Sequence, residues 1–84
     1  MEEILYLALD YPATLTQPPL YTVIGKIPSQ PAYCLAEAAR PSIVAKVLKT
    51  RGINEVEALL LMGAAHRERK PLIFTIPSYR RPSA

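Results

Sequence analysis

Nine prolines in 84 residues constrain this chain more than any other feature. Each removes a backbone donor and holds φ at about −65°, so helices and strands must fit the intervals between them. The prolines stand at 12, 18, 19, 28, 31, 41, 71, 77 and 82, and 42–70 is the single proline-free interval longer than eleven residues. Any long helix therefore belongs to that interval. The rest of the chain is restricted to short elements joined by proline-marked turns.

Glu2 to Tyr11 is a nearly unbroken apolar run that Pro12 stops. Ile4, Tyr6 and Tyr11 suit a sheet and predict a strand, although Glu, Leu and Ala also fit a short helix. Residues 13–19, with the pair Pro18-Pro19, make a loop. Leu20 to Ile27 is rich in β-branched and aromatic residues and reads as a second strand, in which Gly25 marks a bulge or a close backbone approach. Pro28 to Pro31 is a turn. Ser29 fits a cap and Pro31 a first helical turn, so Tyr33 to Arg40 is expected to be helical, with Pro41 interrupting or ending that helix.

Ser42 to Arg51 restarts the helical pattern, with Ile43 and Val47, and Val44 and Leu48, as i, i+4 pairs on one stripe and Gly52 as a left-handed stop. Asn54 to Lys70 has Asn54 as N-cap, Glu57 as its capping-box partner and Arg67, Arg69 and Lys70 in the last turn, before Pro71. Helix is the preferred reading there. The continuous apolar block from Ala58 to Met62 leaves a buried strand ending at Gly63 as the alternative. Pro71 to Ile76 reads as a strand. The expected fold is a small single-domain α+β protein, roughly β-β-α-α-β, a short sheet packed by one or two helices. Residues 1–77 form the compact domain and 78–84 a basic C-terminal tail.

Half of the residues are hydrophobic and 20% are charged, a composition that folds rather than staying disordered. So short a chain covers its apolar groups incompletely, which predicts a homo-oligomer, a dimer first, or a partner. No apolar run approaches the roughly 18 residues a membrane span needs. Met1 is followed by two acids rather than a positive leader, and a lone Cys34 cannot form an internal disulfide. The expectation is a soluble, cytoplasmic protein with no membrane contact.

Residues 1–39 hold one lysine against four acids, and residues 40–84 hold nine cations against three acids. The net charges are −3 and +6. A basic half of this kind points to nucleic acid or to an acidic protein surface.

Catalysis has little to work with: one histidine, His66, and one cysteine, Cys34, whose apolar neighbours predict a buried structural thiol. No second histidine or cysteine stands at ligand spacing, and no phosphate-binding glycine motif is present. No catalytic residue, no metal and no cofactor is expected. Tyr6, Tyr11, Tyr21 and Tyr33 are read as core or interface anchors.

The functional signal that remains is cationic: Lys46, Lys49, Arg51, His66, Arg67, Arg69 and Lys70, with Tyr79, Arg80 and Arg81 beyond the last strand. These residues are expected to neutralise phosphates, and Tyr79 to stack on an unpaired base. The sequence therefore predicts a small non-enzymatic nucleic-acid-binding accessory or regulatory protein, DNA and RNA undistinguished. The alternative is a protein–protein interaction module: a subunit, inhibitor or adaptor of a larger complex. A plain solvated face accounts for the same charges.

Overall fold

Alternation organises the first strand. In β1 (Glu2–Tyr11), Glu3, Leu5 and Leu7 are fully buried on one side while Ile4, Tyr6 and Ala8 are half-buried on the other. A computed structural model describes residues 2–77. β1 is a central strand. It pairs antiparallel with β2 (Leu20–Lys26) on one side and with β4 (Leu72–Pro77) on the other, and β3 (Tyr33–Ala39) pairs antiparallel with β2. The sheet order is β3-β2-β1-β4.

Two helices, α1 (Pro41–Lys49) and α2 (Glu55–Glu68), cover a single face of that sheet. α1 lies over β2 and β3, α2 over β1 and β4, and the helices pack on each other. The core between the layers is built from Leu5, Leu7, Tyr21, Val23, Ile76, Val44, Leu48, Ile53, Ala58, Met62 and Ala65. Such burial of aliphatic side chains stabilises by about 1.5–3 kcal/mol for each one fully removed from water.

The α+β class and the bounds of β1 agree with the sequence reading, and the order is β-β-β-α-α-β. Tyr33 to Ala39, expected to be helical, is the edge strand β3. Three causes combine. Pro41 confines Arg40 to extended backbone (φ −66°, ψ 156°), so a helix here has less than two turns to run. The ladder with β2 supplies hydrogen bonds that a short isolated helix does not. Register shifts beside Tyr21, Val23 and Ile24, with Ala38 at φ 45°, break the alternation that would have marked a strand. Pro41 starts α1 instead of interrupting a helix, since its missing N–H would be unpaired in the first turn anyway.

The helix punctuation follows the sequence. Gly52 has φ 83° after α1, and the Asn54 side chain accepts the Glu57 N–H at 2.8 Å at the start of α2. Residues 55–62 are helix, not strand. The close approach expected at Gly25 is also present. Tyr33 lies across from it in the ladder, and a Cβ added at Gly25 would stand 2.6 Å from the Tyr33 ring.

Candidate functional site

Among the described residues, the cations of the second half do not gather on one surface. Lys46 and Lys49 stand in the last turn of α1, beside Asn54 and Glu55 at the start of α2. Arg67, Arg69 and Lys70 stand at the other end of α2, a helix of 14 residues and so roughly 21 Å long. Arg69 and Lys70 border a hollow with Asp10 and Pro12, and Lys70 lies 3.7 Å from Glu68. His66 is half-buried just before them. Tyr79, Arg80 and Arg81 lie outside the described residues.

Arg51 has a different role from the other cations. Its Nε donates to Glu3 Oε1 at 3.1 Å and its Nη2 to Glu3 Oε2 at 3.3 Å, while the Tyr33 hydroxyl donates to the same carboxylate. Glu3 is wholly buried and the Arg51 side chain is 15% exposed. A carboxylate taken out of water needs such donors, so Arg51 is committed to the fold. Burial first, and then the bond to Glu3, hold the Tyr33 phenol above its ordinary value.

Cys34 is exposed, contrary to the buried thiol read from its neighbours. It pairs with Ile24 on the side of the sheet away from the helices, because it alternates with Tyr33, which faces Gly25 on the helix side. His66 is on α2, across the sheet, so these two residues do not meet as nucleophile and base. Among the described residues, no group of three or more His, Cys, Asp or Glu is placed to hold a metal ion. No helix among them is long and apolar enough to cross a membrane.

Two apolar surfaces stand out that the charge pattern did not indicate. The first is the outer face of the sheet, where ladder partners place Ile73, Tyr6, Ile24 and Cys34 in one row across all four strands. No helix covers this row, and Ile73 is 69% exposed. Asp10 and Glu37 border an open hollow of about 550 Å³ at one end of the face, and Lys26 closes the other. The Thr22 hydroxyl, anchored to Asp10, accepts the Ala38 N–H at 3.2 Å, which ties the bulged part of β3 to this face. The second surface is the solvent side of α2, where Val56, Leu59 and Leu60 are 68%, 53% and 68% exposed.

Both surfaces had a signal in the sequence. An antiparallel strand with one wet face alternates, whereas Ile4 to Leu9 is apolar throughout. A helix that covers one core carries an apolar stripe, whereas residues 58–62 are apolar on every side. Those continuous runs measure how much apolar surface the fold leaves uncovered. No family model matches the chain, and neither a curated protein nor a solved structure matches it.

Proposed function

We propose that this protein is a protein-interaction module whose partner, a different chain, docks on the outer face of the sheet. One observation carries the reading: the uncovered row Ile73, Tyr6, Ile24 and Cys34, on a face bordered by Asp10 and Glu37 at one end and by Lys26 at the other. Contiguous apolar surface of this kind on a small domain marks an interface, and the bordering charges orient the partner. The partner's surface is apolar at its centre, with a cation to meet Asp10 and Glu37. The test is purification of the complex from cells in high salt after nuclease treatment, with wild type and Ile73→Glu side by side. A stoichiometric protein retained by wild type and lost from the variant is expected. Its retention by Ile73→Glu, or the absence of any such protein, refutes the reading.

A second reading, nucleic-acid binding, is supported by Arg67, Arg69 and Lys70, all exposed at one end of α2. Phosphate contacts of this kind weaken steeply as salt rises. Fluorescence anisotropy with duplex and single-stranded probes is expected to show salt-dependent binding that the triple variant R67A/R69A/K70A reduces for every probe. Absence of binding at low salt eliminates it.

A further inference from the structure

We infer that the protein forms a homodimer in which α2 packs against α2 of a second copy, antiparallel, about a two-fold axis between Leu61 and Met62. The inference stands on the helix and is independent of the sheet-face reading. The side of α2 opposite the buried Ala58, Met62 and Ala65 carries Val56, Leu60, Gly63 and Arg67, spaced by four, three and four residues. That spacing makes one seam along a helix, the pattern by which two helices interdigitate. Leu59 flanks it.

Among the described residues of the monomer this seam has no occupant. Val56 and Leu60 are each 68% exposed, and a Cβ added at Gly63 would meet nothing within 4 Å. A glycine in the middle of an exposed helix costs about 1 kcal/mol relative to alanine, so the monomer gains nothing from it. A second helix does. In the antiparallel arrangement Leu60 of each copy lies over Gly63 of the other, and Val56 lies against the aliphatic stem of Arg67. The glycine provides the hollow that the leucine fills, twice by symmetry.

Charge selects the second copy and its direction. α2 has Glu55 and Glu57 in its first turn, and His66, Arg67 and Glu68 in its last, followed at once by Arg69 and Lys70. Antiparallel pairing sets the acidic turn of each copy against the cations Arg67, Arg69 and Lys70 of the other, which outnumber Glu68, and the helix dipoles agree. Parallel pairing would set like against like. The helix is thus complementary to itself reversed.

Sedimentation equilibrium over a concentration series tests the arrangement. Wild type is expected to associate to a dimer, and Leu60→Glu and Gly63→Leu each to weaken association at least tenfold with unchanged circular dichroism. The variants E55R/E57R and R67E are each expected to associate weakly alone and to form a one-to-one pair when mixed. The inference is overturned by a monomer at every concentration. It is equally overturned by a dimer indifferent to Leu60→Glu, or by charge variants that do not pair on mixing. Dissociation by Ile73→Glu with α2 variants intact would place self-association on the sheet and overturn it too. Should Gly63→Leu disturb the fold, Leu60→Glu at an exposed site carries the same test.

Discussion

Removing the Arg51 guanidinium is the most informative single perturbation of this fold. Arg51→Ala deletes two N–H donors, at 3.1 and 3.3 Å, from a Glu3 carboxylate that has no exposure to water. Among the described residues, the Tyr33 hydroxyl is then the one side chain left donating to it. Breaking a buried ion pair from one side costs about 3–5 kcal/mol, because the remaining charge is stranded. A chain of this length has roughly 4–12 kcal/mol of stability in all. The loss is therefore a large share of the total, and the midpoint of thermal unfolding should fall by roughly 12 °C or more. Urea unfolding at neutral pH, with the midpoint compared at constant slope, measures it. The paired substitution Glu3→Leu with Arg51→Met removes both charges while keeping apolar volume, and it should stay within about 1 kcal/mol of wild type or exceed it. A loss below about 1 kcal/mol for Arg51→Ala would mean that the pair behaves like a surface salt bridge, and the argument from burial would be wrong.

Other expectations follow from neighbouring geometry. Gly25→Ala places a Cβ 2.6 Å from the Tyr33 ring and 3.1 Å from Glu3 Oε2, so overpacking should cost about 1–3 kcal/mol in the same urea assay. Tyr33 is held above an ordinary pKa of 10.0, first by burial and then by its bond to Glu3, so its contribution is intact below about pH 10 and lost as pH climbs through the higher folded value. Tyr33→Phe should accordingly reduce the alkaline fall in stability, the remainder tracking the buried Tyr21, whose phenol is raised in the same way. Arg69 caps α2 in the left-handed region at φ 56°, so Arg69→Gly should stabilise by about 1 kcal/mol in thermal unfolding despite removing a cation.

What the sequence determined by itself is mostly local. Pro12 and Pro71 bound their elements, Gly52 supplies a positive φ, and Asn54 caps the helix that follows it, because each acts through its own backbone or the next turn. Apolar totals were legible as well: β1 and α2 are too apolar for one covered face each, and each does leave apolar side chains uncovered. The tertiary structure decided what depends on partners distant in the chain. Leu-Ala-Glu-Ala-Ala favours helix locally, yet residues 33–39 complete the ladder beside β2. Lys46 and Lys49 belong to the same basic half as Arg67, Arg69 and Lys70 but are separated from them by the length of α2, and Arg51 is drawn 48 positions back to Glu3. Charge composition adds along a chain, whereas a surface is made by whichever side chains the sheet and helices carry to the same place. That is why charge alone could not indicate the two apolar faces and the buried Glu3–Arg51 pair found among the described residues.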